Sequence, residues 1–351
     1  MKKNISMKDI AQQLGVSTAL VSYVLNGQLE DRINKDTAQK IKKLADELGY
    51  RPNHVAKSLK INKTLTIGLI LADISNPFSA SLARIVEDEA KKHNYTVIFG
   101  SADESTVKSE DLIRTLMSRR VDGFIIAAPE GSEELLISLK KQAIPFVLVD
   151  RYFPDLNVNT VTINNFQASM EAINHLLGQG FSQIGMINLK SDLFHLAERS
   201  RGYKAALINA GQQNEGKNLK EVEEKNMIAE VHQAINELLN QAEPIQAIFF
   251  GNNNLAIEGL IHIRSLNIRI PEDLAIVCFD ESNAYNLFYC PITYIRQPLN
   301  RLGQAAVKLL LENLGNEEKS TNNIILEAEL IIQESSANAE ARRTMINLNE
   351  I

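Results

Sequence analysis

Residues 6–27 read SMKDIAQQLGVSTALVSYVLNG, and the spacing inside this stretch decides the first part of the fold. Met7, Ile10, Ala11 and Leu14 recur at i, i+3, i+4 and i+7, which puts one apolar stripe on a short helix. Ser6 and Asp9, three apart, form a capping box at its start, and Gly15 supplies the left-handed residue of a tight exit. Ser17 is then placed to cap a second helix through Val21, Val24 and Leu25 to Asn26-Gly27. The small residue Ala11 lets the second helix cross closely, Gly15 makes the turn and Val21 fills the shared core, a helix-turn-helix spacing. A third helix is marked by Asn34 as cap, by Ala38, Ile41, Ala45 and Leu48 on one face, and by Gly49 as terminator.

Charge points the same way. Residues 1–63 hold 12 Lys+Arg against 6 Asp+Glu, while the remainder holds 25 against 37, so a basic head precedes an acidic body. A basic terminus alone is as readily a solvated face as a polyanion-binding one; the spacing decides for DNA. In such a unit the outward, N-terminal residues of the second helix meet base edges, here Thr18, Ala19 and, one turn on, Tyr23. Ser17, Ser22 and Asn26 offer short polar groups suited to phosphates, with Ser17 equally explained as a cap.

Residues 53–60, NHVAKSLK, form a capped segment with no core of its own. Helices shorter than about 12–15 residues are marginal in water, so this one should form only when held, which makes it a candidate switch. Leu59 is placed to wedge into a minor groove, with Lys57 and Lys60 on phosphates and His54 among the DNA-facing candidates.

From Leu65 onward, apolar runs of strand length (TIGLIL, YTVIF, GFIIA, PFVLV, QIGMI, QAIFF, LAIVCF) alternate with amphipathic helical stretches. Strands apolar on both faces imply parallel sheets covered by helices, and the length suits two α/β lobes. Polar residues cluster just after the strands: Asp73 and Asn76, Ser101, Asp150-Arg151, Asn164, Asn188, Asn252 to Asn254, and Asp280. Ligands of open α/β sheets sit outside the carboxyl ends of strands, so these residues should converge on one cleft, a set suited to a hydroxyl-rich small molecule. Each of them singly is also a plausible helix cap.

Several classes fall away. At 351 residues, 44% hydrophobic and 23% charged, the chain is neither disordered nor fibrous. No run approaches the roughly 18 apolar residues that span a bilayer, and no secretory signal is read at the start, so a cytoplasmic protein is expected. Cys278 and Cys290 are too few for a disulfide framework or a four-ligand zinc site and are expected to be free thiols. Phosphate-cradling glycine loops are absent, the six histidines show no metal-type spacing, and His195 and Asp192 near the cleft lack a nucleophile. No enzyme, metal or cofactor is therefore expected. A solute-binding transport protein would share the body but needs an export signal and no basic head; a sugar-modifying enzyme needs a catalytic acid/base pair.

The head MKDIAQQLGVSTALVSYVLNG and the segment YRPNHVAKSLK resemble the signature of the lactose-repressor (LacI) family of bacterial transcription regulators. The body motifs DISNPF, IPFVLVDR, ERSRGYKAAL and FDESN…PITYIRQPLNRLG are similar to that family's recurring ones, and the likeness runs from about residue 5 to 334. It implies a homodimer on a near-palindromic operator, an all-α head (1–52), a hinge helix (53–62), and a periplasmic-binding-protein-like body (63–334) of two lobes with three crossovers. It also implies an effector, most simply a sugar, between the lobes, contacted by Phe78, Asp150, Arg199 and Asp280, with Asp73 and Asn253 as further contacts. Ser79, Asn254, Cys278 and the stretch Glu221–Met227 depart from the family's usual cleft residues. Residues 335–351 are read as a C-terminal tail without apolar heptads, so no tetramer-forming coiled coil is expected.

Overall fold

A computed structural model describes residues 5–27, 32–50, 63–212, 216–314 and 321–337. His54, Leu59, Lys60 and the rest of the hinge segment lie outside the described residues, as does the tail beyond Ala337. The chain divides into two compact units, Met1–Thr64 and Leu65–Ile351.

The first unit holds α1 (Met7–Leu14), α2 (Thr18–Leu25) and α3 (Lys35–Glu47). The expected capping box is present, with the Asp9 amide donating to Ser6 Oγ and the Ser6 amide donating to Asp9 Oδ2 at 2.8 Å. Gly15 adopts φ +67°, and the amides of Gly15 and Val16 both donate to the Ala11 carbonyl, closing the turn. Ile10, Ala11, Val21, Val24, Ile41 and Ala45 are the buried core of this small unit.

The second unit carries two six-stranded sheets. In lobe 1 the order is β11-β5-β4-β3-β1-β2 and in lobe 2 it is β12-β10-β9-β8-β6-β7, the same doubly wound pattern used twice. The seven apolar runs become β1 (Thr66–Leu71), β2 (Thr96–Ser101), β3 (Gly123–Ile126), β4 (Phe146–Val149), β6 (Ile184–Leu189), β8 (Ala247–Phe250) and β9 (Ala275–Phe279). Five further strands were not legible as apolar runs: β5 (Thr160–Ile163), β7 (Leu219–Val222), β10 (Thr293–Arg296), β11 (Asn323–Leu326) and β12 (Glu329–Ile331). They carry Thr, Lys, Glu, Asn or Arg in short segments, and neighbouring strands supply the pairing their own composition does not signal. The all-parallel expectation is corrected at one edge, where β12 runs antiparallel to β10.

Three connections pass between the lobes: from β5 into α7 (Asn165–Gly178), from β10 into α11 (Leu299–Asn313), and from β11 to β12. The helix α8 (Phe194–Asn209) lies against α7, and the approach is closest at Gly202, where an added Cβ would stand 2.3 Å from the Phe166 carbonyl oxygen.

The body does not end at residue 334. Ser335 and Ser336 are fully buried. Ser335 Oγ accepts from the Thr293 amide and donates to the Ile276 carbonyl, both at 2.7 Å. Ser336 Oγ bonds His175 Nε2 at 2.7 Å and Thr293 Oγ1 at 2.6 Å. Ser335 satisfies backbone groups of β9 and β10 and Ser336 ties the His175 and Thr293 side chains together, so residues 335–337 belong to lobe 2 rather than to a free tail.

Candidate functional site

Two surfaces bear on function, one in each unit. On the head, Thr18, Ala19 and Tyr23 are exposed along one side of α2, Tyr23 with 40% of its surface free. Ser17 Oγ accepts from the Leu20 amide at 3.2 Å, so it serves as the cap. Asn26 Nδ2 donates to the Ser22 carbonyl at 2.7 Å and reaches Ser22 Oγ at 3.3 Å, which ties these two polar groups together at the helix end. Thr18, Ala19 and Tyr23 thus remain the side chains free to reach outward, and Ser22 and Asn26 form a fixed polar edge.

In the body, the carboxyl ends of the strands of both lobes face one cleft. A cavity of about 90 Å³ lies there, adjoining a wider and more open funnel of about 730 Å³. Asp73, Phe78, Asp150, Arg199 and Asp280, five of the six side chains expected from the sequence, line the cavity. Asn253 does not; it is fully buried beside it, and its Nδ2 donates to Asn76 Oδ1 at 3.2 Å, joining lobe 2 to lobe 1. Its neighbours Asn252 and Asn254 line the cavity instead.

Arg199 is the organising charge. It projects from α8 with 3% exposure, its guanidinium stacked 3.6 Å over the Phe279 ring. Nε donates to Asn165 Oδ1 at 2.8 Å, Nη1 donates to the Gly251 carbonyl at 2.7 Å, and Asp280 Oδ2 lies 3.9 Å from Nη1. A buried guanidinium is tolerable only with such a set of acceptors. Asp280 in turn accepts from Gln297 Nε2 at 2.6 Å. Asn165 and Gln297 sit where the chain passes between the lobes, so the cleft's central ion pair is bonded to two of the three connections.

Asp150 ends β4 in the left-handed region at φ +66°, and Asp280 ends β9 at φ +72°. Such conformations cost a non-glycine residue free energy and concentrate at ligand sites. Burial pushes the Asp150 carboxyl up to about 6, against the pull of Arg151 and Arg199. The His195 imidazole is held well below its usual range by burial and by the two arginines, which makes it neutral. Arg151 forks onto Glu104, each Nη donating to one carboxylate oxygen at 2.6 Å.

Three cavity side chains are more than nine-tenths buried yet hold a polar atom without a partner: Asp150 at Oδ1, His195 at Nδ1 and Gln297 at Oε1. Buried polar atoms are nearly always bonded, so this group of two acceptors and one imidazole nitrogen is suited to a ligand that brings donors.

The sequence reading missed Glu104, Asn165, Glu224 and Gln297. Gln297 follows β10, whose polar content hid the strand, and Asn165 adjoins Asn164, which merely caps α7 by accepting from the Gln167 amide at 3.1 Å. Asn188, expected in the cleft, donates to the Leu196 carbonyl and Ser200 Oγ, both at 2.9 Å, and so positions α8. Ser101 Oγ donates to Asp103 at 2.6 Å and helps shape the loop after β2.

Among the described residues, no group of three or more His, Cys, Asp or Glu side chains is arranged to hold a metal ion, and no helix is long and apolar enough to cross a membrane. Cys278 and Cys290 are buried free thiols.

Comparison with known proteins places this geometry. Residues 6–53 match the family model for bacterial regulatory proteins of the lacI family, and residues 64–334 match that for periplasmic binding proteins and the sugar binding domain of the LacI family. The HTH-type transcriptional regulator RegA of Clostridium saccharobutylicum is 32% identical over 94% of this chain and 99% of its own. A LacI family transcriptional regulator from Enterococcus faecium with bound ribose is 29% identical, with a TM-score of 0.68 over 78% of this chain and 98% of that one. The lac repressor dimer bound to operator superposes with a TM-score of 0.83 over 96% of this chain and 100% of that one, at 21% identity, which shows the shared fold.

Proposed function

This chain belongs to the LacI family of bacterial regulatory proteins, and from that premise we propose that it is a cytoplasmic transcriptional repressor released or engaged by a sugar in the interlobe cleft. Thr18, Ala19 and Tyr23 read base edges of one operator half-site, while Ser22 and Asn26 set the register on phosphates. A second copy reads the other half. Apolar side chains exposed on both lobes support a dimer, among them Phe99 and Val107 on lobe 1 and Ile261, Leu287 and Tyr289 on lobe 2.

The observation that carries the effector reading is the set of buried, unpartnered polar atoms at Asp150, His195 and Gln297. A polyhydroxylated ring satisfies them, while the Phe78 ring lines the same space. Glu104 is paired with Arg151 and Asp280 with Arg199, and the neutral His195 has no nucleophile to activate, so the cleft binds and does not catalyse. Closure is registered between lobes by Asn76–Asn253 and by Ser191 Oγ donating to Glu130 at 2.6 Å. Arg199 and Asp280, bonded through Asn165 and Gln297 to the connections, transmit occupancy into lobe orientation. Residues 53–60, outside the described residues, are by their sequence the connector whose helix formation that orientation biases. A coupling of about 1–3 kcal/mol changes operator affinity roughly 5- to 150-fold.

The test is selection of a preferred duplex from random DNA by the full chain, followed by fluorescence anisotropy on that duplex with and without candidate sugars. A palindromic preference and a sugar-dependent change in Kd are expected. Failure to prefer any duplex at physiological salt refutes the reading.

A further inference from the structure

The charges around the cleft do not balance, and the excess has one sign. Asp73, Glu104 and Glu130 of lobe 1 face Asp192, Glu223 and Glu224 of lobe 2 around the funnel. The cations there are engaged. Arg151 is forked by Glu104, Arg199 is bonded to Asn165 and the Gly251 carbonyl, and Lys190 and Lys225 both reach Glu223, at 3.7 and 3.0 Å. At the cavity wall the unpartnered atoms of Asp150 and Gln297 are acceptors.

We propose that Glu104 is a charge filter: by filling the fork of Arg151 it denies an incoming anion its cation, so the effector is an uncharged polyol and sugar acids and sugar phosphates are rejected. The inference rests on the sugar reading given above and narrows it.

The physical argument is one of competition. A carboxylate or phosphate ligand recruits arginine through paired, charge-assisted hydrogen bonds. Here that pairing is already made inside the protein with both distances at 2.6 Å. An anion that displaced Glu104 would leave its carboxylate beside those of Asp73 and Glu224. Burial and the nearby Glu104 and Asp73 charges already raise the Glu224 carboxyl above its ordinary value. The backbone that carries Glu104 is also fixed. It follows β2 at φ +55°, with its amide bonded to the Ala72 carbonyl at 2.9 Å, and Ser105 next to it caps the following helix. Rejection by a built-in like charge is a common route to specificity.

The experiment titrates the full-length protein, by thermal shift and calorimetry, with ribose, glucose and galactose beside ribose 5-phosphate, gluconate, glucose 6-phosphate and galacturonate. For the wild type, the neutral sugar of the best-bound pair should bind at least tenfold tighter than its anionic counterpart. Glu104→Gln, which keeps the shape and frees the Arg151 charge, should shrink that ratio by tenfold or more, and Glu104→Asp, which keeps the charge, should preserve it. An anionic sugar that binds the wild type as tightly as its neutral counterpart overturns the proposal, as does an unchanged ratio in a folded Glu104→Gln. If no sugar binds while the protein still selects a duplex, the filter is wrong and the DNA reading stands. If neutral sugars bind with the expected ratio but operator affinity never changes, the filter stands and the switch reading fails.

Discussion

Replacing Asp150 with asparagine should stabilise the body at neutral pH while weakening effector binding. The Asp150 carboxyl is pushed from 3.8 to about 6 by burial, so its ionised form is penalised in the folded protein. At pH 7 that displacement corresponds to about 3 kcal/mol, since each pH unit is worth about 1.4 kcal/mol. A carboxyl raised on folding contributes stability that is fully present below its unfolded value, near 3.8, and is lost as the pH climbs through about 6. Asparagine keeps the shape and never ionises. Thermal unfolding followed by circular dichroism should therefore show the body transition of Asp150→Asn several degrees above wild type at pH 7.5, at roughly 2–4 °C per kcal/mol. The gap should narrow through pH 6 and vanish near pH 4. The same substitution removes a charged cavity residue whose Oδ1 has no partner, and loss of a hydrogen bond to a charged group should weaken sugar binding by about 1.5–3 kcal/mol. A variant less stable than wild type at pH 7.5, or a gap that does not change with pH, would refute the claim that the Asp150 charge is held at a cost for binding.

Other substitutions probe other parts of the structure. Arg199→Met strands the Asp280 and Asp150 charges in the cavity and should cost about 3–5 kcal/mol of body stability; urea unfolding reads this, and operator binding by the folded fraction should no longer respond to sugar. Gly202→Ala drives a Cβ to 2.3 Å from the Phe166 carbonyl oxygen, and a net loss of at least about 1 kcal/mol should survive the roughly 1 kcal/mol gained in helix propensity; a neutral or raised unfolding midpoint would contradict the backbone contact between α7 and α8. In the head, Ser17→Ala removes the bond to the Leu20 amide and should destabilise that unit by about 1 kcal/mol in chemical denaturation. Tyr23→Ala, at an exposed position, should leave stability within about 0.5 kcal/mol while relaxing base preference at one operator position by about 1–3 kcal/mol; a uniform loss on all duplexes would remove Tyr23 from base readout.

The head was legible residue by residue because everything that shapes it is local. Ser6 and Asp9 cap each other across three residues, Gly15 turns the chain beside the Ala11 carbonyl, and the stripe of Met7, Ile10, Ala11 and Leu14 needs only a helical period to be recognised. Six of the seven apolar strands of the body were legible for a similar reason, since strands buried on both faces have to be apolar throughout, whereas β2 is apolar in sequence yet lies largely exposed at the sheet edge. Even the rule that polar residues after strands face the ligand brought Asp73, Asp150 and Asp280 to the cavity.

What only the tertiary structure decided is partnership. Asn188, near the end of β6, and Asn165, at the start of α7, are the same residue type, yet Asn188 braces α8 and Asn165 holds Arg199. Glu104 meets Arg151, 47 residues away, because the loops that follow β2 and β4 both open on the cleft, and no local pattern states that. Ser335 and Ser336 looked like the beginning of a tail until the fold brought backbone groups of β9 and β10 to Ser335 and the His175 and Thr293 side chains to Ser336. Caps, turns and periodicities are interactions over a few residues and are written in the chain; a charge's free energy depends on which distant side chains and how much water surround it, and that is known only once the lobes are packed.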